Sequence, residues 1–367
     1  MVRLLRIAFV YTSLASLPME VRSEILIGAA APISGPNAWF GEQTIHGVGT
    51  AVADINEKGG VLGELLSVVE VDDFCDPDQA VAAARALLER KVVFVVGHPC
   101  SGAAISASEV YGEAGVLMIS DAATSPVLTA RGLTNVFRTV GSNNDQGRIA
   151  GDYLADRWAD KKIAILHDGQ SYGKGLADTV RQRLNERGVT ETLYGAISPG
   201  QSDYSDAVNR LKAVGADVVY YGGYSSEAAL ILRQAHAGGY PLSLVAGDGV
   251  NSEDFWLVAG PAGENTLFTS YPDFRGINTA SSVTAAFRAQ GYEPSGSTLH
   301  AYAAVQAWAE AVQRSGSVAL EPVAEVLRRD QFSTILGPIG FDDKGNVEGI
   351  SFDWYVWKNG EINPVEM

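Results

Sequence analysis

Short apolar runs alternate with longer amphipathic segments along most of the chain. The run at 92–97 is continuously β-branched and aromatic, which is typical of a strand buried on both faces. The segment 76–90 instead places alanine and leucine at helical spacing. The predicted strands span 25–29, 65–71, 92–97, 116–120, 163–167, 191–196, 217–221, 242–246, 340–342 and 351–356. The predicted helices span 44–58, 76–90, 102–115, 146–159, 172–187, 204–214, 226–237 and 299–315.

This alternation predicts an α/β protein. Repeated strand–helix units with short loops form parallel sheets with right-handed crossovers. A single sheet of so many strands would be unusually large, and 367 residues suit two domains, so two doubly wound, Rossmann-like lobes are expected. Periodicity does not assign the last helix and the last two strands to either lobe. Two such lobes bind a ligand where the carboxyl ends of their strands face one another across a cleft. The loops at those ends are 32–42, 97–102, 120–126, 167–173, 221–227 and 247–251.

Composition and charge exclude some classes of partner. The chain is 46% hydrophobic and 19% charged, which is typical of a globular protein rather than a disordered one. Lysine and arginine number 27 against 43 aspartates and glutamates, for a formal net charge of −16. No basic stripe is present to follow a phosphate backbone or an anionic lipid surface, so neither nucleic acid nor a membrane surface is expected as a partner.

The first 23 residues have the pattern of a secretory signal peptide. Two arginines precede an apolar run at 7–18, and the small residues Val21 and Ser23 stand before Glu24. The alternative is a short membrane anchor, although the run is well below the roughly 20 residues that a span needs. The signal-peptide interpretation, with residues 1–23 removed, predicts an exported, acidic protein located in the periplasm.

The chain has two cysteines, Cys75 and Cys100. In an exported chain a disulfide between them is plausible, and the closed loop would contribute about 3 kcal/mol in the chain-entropy model. The alternative is two separate buried thiols, which spacing alone does not exclude.

Two of the loops carry groups suited to a small zwitterion. Ser101 lies where a helix is predicted to begin directly after a strand, and a helix N-terminus with a hydroxyl suits a carboxylate. The loop 120–126 offers a hydroxyl and backbone carbonyls that can accept from an ammonium group. Taken alone, a serine such as Ser101 is more often only an N-cap, and a polar turn before Pro126 is the better interpretation of the second loop.

At these loops the chain resembles the periplasmic leucine/isoleucine/valine-binding protein family, the type I solute-binding proteins of branched-chain amino-acid ABC transporters. The resemblance extends from about residue 24 to about residue 357. It rests on the order and spacing of the matching motifs. The motifs are Pro32-Ile-Ser-Gly-Pro, Ala53-Asp-Ile-Asn with Gly59-Gly, Asp72-Asp-Phe-Cys-Asp-Pro, Gly97-His-Pro-Cys-Ser, Ala122-Ala-Thr, His167-Asp, Tyr172-Gly-Lys-Gly-Leu and Tyr221-Gly-Gly-Tyr.

The resemblance implies how an amino-acid ligand is held. Ser101 and nearby backbone N–H groups would bind the α-carboxylate. The α-ammonium group would bind the segment Ala122, Ala123 and Thr124, through the first carbonyl and the last hydroxyl, and Asp248 from the other lobe.

The resemblance also implies the walls of the site and its support. Phe40 would line the pocket for the ligand's side chain, while Tyr172 and Tyr224 would close over the ligand from the second lobe. Cys75 and Cys100 match the family's disulfide, which would anchor the serine loop.

The same resemblance implies the type I periplasmic binding protein fold, with two lobes joined by a hinge that the chain crosses three times. The first lobe would comprise 24–141 plus 272–350. The second would comprise 142–271 plus 351–367.

Some positions depart from the family's pattern. Asp248 stands where leucine/isoleucine/valine binders usually carry glutamate, and Pro99 replaces a larger apolar residue. The stretch Thr298-Leu299-His300 replaces a more aromatic one, and whether His300 reaches the pocket is left open. Relative to the family's pattern, the positions that would bind the ligand's α-ammonium and α-carboxylate groups are thus kept. The positions that would line the pocket for the ligand's side chain differ. Some relatives accept alanine, proline or γ-aminobutyrate, so the expected ligand is a small or branched-chain aliphatic amino acid.

The motifs of common enzymes and cofactor sites are missing. Ser101 has Pro99 two positions before it rather than glycine, so the Gly-x-Ser-x-Gly nucleophile elbow is absent. The five histidines are scattered, and dinucleotide and Walker phosphate loops are absent. The acidic run 72–78 lacks the spacing of a calcium loop, and a solvated loop and helix start is expected there. No enzyme activity, cofactor or metal is therefore expected.

Together these features predict a monomeric receptor that captures its amino acid between two lobes and delivers it transiently to the subunits of an ABC permease. The alternatives are a sensory binding protein of the same fold for an amide or a γ-aminobutyrate-like ligand, and an exported hydrolase.

Overall fold

The computed structural model describes residues 24–365, so the predicted signal peptide at 1–23 lies outside the described residues. The strands are β1 Glu24–Ala31, β2 Leu65–Asp72, β3 Phe94–Gly97, β4 Leu117–Ser120, β5 Val136–Arg138, β6 Ile163–His167, β7 Leu193–Ala196, β8 Val218–Gly222, β9 Ser243–Ala246, β10 Leu267–Ser270, β11 Phe332–Thr334, β12 Gly337–Ile339, β13 Asp353–Lys358 and β14 Glu361–Pro364. The α-helices are α1 Ala38–Glu57, α2 Pro77–Glu89, α3 Ser101–Glu113, α4 Val127–Ala130, α5 Asn143–Arg157, α6 Ser171–Glu186, α7 Ser205–Val214, α8 Ser225–Ala237, α9 Glu253–Ala259, α10 Ser281–Ala289, α11 Thr298–Ser315 and α12 Leu320–Arg329.

The first five strands form a parallel sheet, the first sheet, in the order β2-β1-β3-β4-β5. Its central strand β3 is buried along its whole length, as its continuous apolar sequence predicts. The helices α1 and α11 cover one face, where the Trp308 ring stacks on Phe94 with ring centroids 4.6 Å apart. The helices α2 and α3 cover the other face.

Seven strands form the second sheet, in the order β14-β13-β10-β9-β8-β6-β7. The strands β6 to β10 are mutually parallel, whereas β13 pairs antiparallel with β10 and forms a hairpin with β14. The buried Trp357 of β13 packs beside Phe255 and Phe268 in the core under this sheet. The last strands of the chain therefore complete the second sheet.

The chain passes between the two sheets three times: after β5, after β10 and before β13. The second passage is followed by α11, which packs on α1 and on the first sheet. The expected fold class, two doubly wound α/β lobes joined by three chain crossings, is confirmed by this arrangement. None of the helices within residues 24–365 is both long and apolar enough to span a bilayer.

Two predicted elements differ from the structure. The helix predicted at 44–58 begins at Ala38, so Phe40 lies on α1 rather than in the loop before it. The strand predicted at 340–342 is wrong, because Phe341 only forms an isolated bridge with Val347.

The predicted disulfide is confirmed. Cys75 and Cys100 are bonded, with their Cα atoms 5.3 Å apart, and the bond ties the loop after β2 to the residue that precedes α3. Asp76, beside it, caps α2 by accepting from the backbone N–H groups of Asp78 and Gln79.

The expectation of a solvated acidic loop is wrong for Asp73, which is fully buried. Its Oδ2 lies 2.6 Å from His98 Nδ1, and His98 Nε2 lies 3.0 Å from the Tyr111 hydroxyl. The Asp73 carboxylate also accepts from the Cys75 backbone N–H at 2.8 Å. This buried polar group lies directly beside the disulfide and supports the loop that leads into Ser101.

Candidate ligand-binding site

The eight residues that the resemblance implies lie at the carboxyl ends of strands in both sheets or, for Phe40, on α1. Ser101 begins α3 after β3, and the segment 122–124 follows β4. From the second sheet, Tyr172 follows β6, Tyr224 follows β8 and Asp248 follows β9. All eight are buried, with at most 6% of any one exposed: Phe40, Ser101, Ala122, Ala123, Thr124, Tyr172, Tyr224 and Asp248.

Ser101 joins the two loops of the first sheet. Its Oγ accepts from the backbone N–H of Ser125 at 3.2 Å, so the loop after β4 is fixed against the N-terminus of α3. Within residues 24–365, the buried hydroxyl oxygens of Thr124 and Ser125 have no hydrogen-bond partner. Burial of such groups is costly unless something pairs with them. The first N–H groups of a helix also have no partner within the helix. This end of the site is therefore rich in unused donors and hydroxyls, a chemistry that suits a carboxylate.

Tyr271 connects the two sheets at the other end of the site. Its hydroxyl lies 3.0 Å from the carbonyl oxygen of Ala122 and 2.9 Å from Asp248 Oδ2. Both neighbours are acceptors, and one hydroxyl carries a single proton. The two acceptors therefore have room for further donors, which an ammonium group would supply.

Asp248 lies in a short 3₁₀ turn, Asp248–Val250, and is held by three side chains. Gln146 Nε2 and the Tyr172 hydroxyl donate to Oδ1 at 2.7 and 3.0 Å, and Tyr271 approaches Oδ2. Burial raises the pKa of Asp248, while these three hydrogen bonds act in the opposite direction. The Tyr172 hydroxyl also accepts from the backbone N–H of Gly249 at 2.9 Å, which fixes the turn against α6.

Aromatic rings from α1, from α6 and from the loop after β8 form one wall of the site. The Phe40 and Tyr224 rings meet edge to face with centroids 6.1 Å apart, and Tyr172 lies 5.2 Å from Tyr224. Trp39 stacks on Phe40, with the two ring centroids 3.7 Å apart. Such a wall offers apolar area to an aliphatic side chain.

His300 lies behind this site. Its Nδ1 lies 2.8 Å from the carbonyl oxygen of Thr139, and its ring lies 5.3 Å from that of Tyr271. Burial lowers the pKa of His300 to about 4, so the ring is neutral at neutral pH and donates from Nδ1 to the carbonyl. The side chain therefore supports Tyr271.

Another buried carboxyl group, that of Asp168, lies in the loop after β6. Its Oδ1 accepts from the backbone N–H of Gln170 at 2.9 Å at the start of α6. Burial, and then the nearby Glu227 carboxylate, raise the pKa of Asp168 to about 7. This carboxyl is therefore partly protonated at neutral pH, in contrast to an exposed aspartate.

Sequence reasoning missed Gln146 and Tyr271. Gln146 lies on α5, 102 positions from Asp248, and Tyr271 follows β10, 23 positions from it. Neither belongs to a motif with regular spacing. The only signal available was that both lie near predicted crossings between lobes.

The part of the chain that the structure describes contains no group of three or more His, Cys, Asp and Glu side chains arranged to hold a metal ion. The site is built instead from hydroxyls, backbone groups, one carboxylate and aromatic rings.

Comparison with known proteins identifies the family. The model of the periplasmic binding protein family matches residues 24–357. A Leu/Ile/Val-binding protein homologue of Brucella suis is 40% identical over 339 residues, covering 92% of this chain and 91% of that protein. An amino acid binding protein of Pseudomonas aeruginosa is 39% identical over 354 residues, covering 96% of this chain and 95% of that protein.

A solved structure matches across both sheets. It is the substrate-binding protein of a branched-chain amino acid transporter from Streptococcus pneumoniae, in complex with isoleucine. The match has a TM-score of 0.83 and 27% identity, and covers 94% of this chain and 99% of that one. These findings confirm the resemblance to leucine/isoleucine/valine-binding proteins and the type I fold. The chain belongs to the periplasmic binding protein family.

Proposed function

We propose that the protein is an exported receptor of an ABC importer that captures a small or branched-chain aliphatic amino acid between two closing lobes. It then delivers the amino acid to the permease subunits. Membership of the family supports the receptor role, and the names of the relatives support the class of ligand.

The moving parts in this proposal are two lobes, 24–141 plus 272–350 and 142–271 plus 351–367. Each holds one of the two large sheets, and the three crossings act as the hinge. A ligand favours the closed state only if it gains contacts to both lobes. The site supplies groups from both, since Ser101 follows a strand of the first sheet and Asp248 one of the second.

The α-carboxylate is proposed to bind at the N-terminus of α3. Ser101 Oγ, the hydroxyl of Thr124 and the free N–H groups of the helix provide donors there. The partial positive charge of a helix N-terminus adds a favourable electrostatic contribution. Charge-assisted hydrogen bonds of this kind are stronger than neutral ones.

The α-ammonium group is proposed to bind between the Ala122 carbonyl and Asp248. The observation that carries the proposal is the Tyr271 hydroxyl, which already lies within 3.0 Å of both acceptors. An ammonium group in this place brings three donors to acceptors that now share one proton. It also brings a positive charge to a carboxylate that burial disfavours.

The remaining wall sets the size of the ligand. The rings of Phe40, Tyr172 and Tyr224 pack against one another beside the groups proposed to bind the ligand's α-ammonium and α-carboxylate. A short or branched aliphatic chain fits an aromatic wall of this kind, whereas a charged side chain would lose its hydration.

The test is a thermal-shift screen of the purified chain without residues 1–23 against the common amino acids and γ-aminobutyrate, followed by calorimetry. Binding to the folded state raises the melting temperature by mass action. An increase confined to small and branched-chain aliphatic amino acids, with γ-aminobutyrate among them, is expected. A protein that no amino acid stabilises would contradict the proposal.

Delivery is tested separately, by uptake. A strain that lacks this chain is expected to take up less of the identified amino acid, and the wild-type chain should restore uptake. Restoration by Asp248→Asn, a variant expected to bind poorly, would contradict delivery through this site.

A further inference from the structure

Arg138 is a buried cation that no sequence motif indicated. It is the last residue of β5, and only 1% of it is exposed. Its Nη1 donates toward three consecutive carbonyl oxygens, those of Ala123, Thr124 and Ser125, at 3.4, 3.0 and 3.1 Å. We propose that Arg138 is a positioning residue that selects for ligands with a carboxylate, an inference that rests on the proposed amino-acid site.

The charge of Arg138 is not neutralised at contact distance. Its guanidinium forms no ion pair within 4.0 Å with a carboxylate in the described range 24–365. Asp145 and Asp342 act on it only from further away. Burial lowers its pKa to about 10, so the group still carries its charge at neutral pH. A buried charge that is not paired costs stability, so its retention calls for a role.

The three carbonyls determine where the opposite ends of their peptide groups point. In a trans peptide the C=O and N–H bonds are antiparallel. Carbonyls of Ala123 and Thr124 that point toward the guanidinium therefore direct the N–H groups of Thr124 and Ser125 away from it. The Ser125 N–H indeed donates to Ser101 Oγ, at the N-terminus of α3. Arg138 thus aims backbone donors at the end of the site where the carboxylate is proposed to bind.

The same segment is also fixed from the hinge. The carbonyl oxygen of Thr124 accepts both from Arg138 and from the backbone N–H of Asn143, at 2.8 Å. Asn143 is the first residue of α5, and its Nδ2 donates to the carbonyl oxygen of Tyr172 at 3.1 Å. The backbone of 122–125 is therefore held on the side that faces away from the site. Its side-chain hydroxyls remain available to a ligand.

A fixed positive charge behind Ser101 and Thr124 attracts an anion in a medium of low dielectric constant. It does so much less for a neutral group of the same shape. Removal of the charge should therefore weaken the binding of an amino acid more than the binding of its carboxamide. A purely structural role would weaken both to the same extent.

The experiment compares wild type, Arg138→Met and Arg138→Lys by calorimetry with alanine, valine and leucine and with the carboxamide of each. In Arg138→Met the affinity for the amino acids is expected to fall about tenfold more than that for the amides. Arg138→Lys keeps the charge and should keep most of the discrimination. Arg131→Met, which removes a more exposed arginine paired with Glu109, is the control and should leave the ratio unchanged. An equal loss for acids and amides, or no loss, would overturn the proposal.

Hydrogen exchange of the backbone amides at 122–125, measured without added amino acid, tests whether Arg138 fixes this loop independently of ligand binding. Exchange is expected to accelerate in both variants, because a lysine side chain is one bond shorter than the path to Nη1, so its ammonium group does not reach all three carbonyl oxygens. Unchanged exchange in Arg138→Lys would overturn the positioning role even if Arg138→Met does not fold. A wild-type protein that binds none of the three amino acids would instead contradict the proposed function. The exchange measurement would still decide whether Arg138 positions the loop.

Discussion

The Tyr271 hydroxyl lies 2.9 Å from Asp248 Oδ2, and through its second contact, with Ala122, it joins the loops of the two sheets. The carboxylate at this junction is buried and its three side-chain donors are all uncharged: Gln146, Tyr172 and Tyr271. The Asp248 carboxylate therefore has no cation among its immediate neighbours in the described part of the chain and is available as the counter-charge of a cationic ligand group. That relationship leads to the first prediction.

Asp248→Asn is expected to weaken amino-acid binding by about 2–5 kcal/mol, because a buried ammonium group loses its formal counter-charge. Isothermal calorimetry measures the change. Asp254→Asn, at an exposed position on α9, is the matched control and should bind as the wild type does. Asp248→Glu should alter the preference among ligands without abolishing binding. Full affinity in Asp248→Asn would show that the charge assignment is wrong.

The second prediction concerns the carboxylate end. Ser101→Ala and Thr124→Ala should each weaken binding by roughly 1–3 kcal/mol, the usual cost of a lost buried hydrogen bond. Ser106→Ala on the same helix α3 is the control, since this residue is not part of the proposed site. Unchanged affinity in both site variants would place the ligand elsewhere.

The third prediction concerns ligand size. Aspartate is one methylene shorter than glutamate, so Asp248 reaches less far across the cleft. The ligand must then lie closer to the second lobe, or the lobes must close further, and either change reduces the room for a side chain. Alanine, valine, proline or γ-aminobutyrate should therefore compete at least as well as leucine in a displacement assay. Leucine binding about tenfold more tightly than all four would refute this argument.

The fourth prediction concerns the Cys75–Cys100 disulfide. Its reduction should lower the free energy of unfolding by about 3 kcal/mol, since the reduced unfolded chain regains the freedom of the closed loop. Urea unfolding with and without a thiol reductant measures this difference. The double variant Cys75→Ala with Cys100→Ala is the control and should not respond to reductant. Two free thiols in protein taken from the periplasm would contradict an oxidised native state.

The fifth prediction concerns pH. The pKa of Asp168 is raised to about 7, whereas an unfolded aspartate titrates near 4. Between these values the folded state binds more protons than the unfolded one, so this group lowers the free energy of unfolding as pH rises from about 4 to about 7.

Asp168→Asn removes that titration and keeps an oxygen for the Gln170 N–H. The variant should therefore gain little stability at pH 4 and on the order of 2–4 kcal/mol at pH 8. Urea unfolding at both pH values is the measurement, and Asp160→Asn, which alters an exposed side chain, is the control. A stability difference that does not depend on pH would contradict the prediction.

The alternation of apolar runs predicted most of the strands and helices because each βα unit repeats the same local pattern. Short elements were missed, such as β10 with four residues and α9 with seven, and so was α12, although its ten residues are strongly amphipathic. The helix α1 begins at Ala38, earlier than predicted, because the glycine and proline of the preceding loop obscure its first turn.

Only those residues of the candidate site that belong to sequence motifs were predicted. The serine at a helix start and the Ala122-Ala123-Thr124 segment are local features that a sequence displays. Arg138, Gln146 and Tyr271 act through partners in other segments, such as Asp248, which lies 102 positions from Gln146. Asp73 was misjudged for the same reason, since an acidic run predicts solvent exposure and only the fold brings His98 against it.

The three crossings between the sheets determine how much of the chain each half needs before it is complete. The core of the first sheet includes Trp308, Phe332 and Phe341, and that of the second includes Tyr355 and Trp357. Neither core can close on a chain that emerges from the ribosome or a membrane channel until nearly all residues have emerged. The two halves are thus completed almost together at the end of synthesis, and a chain that stops after β10 lacks part of both.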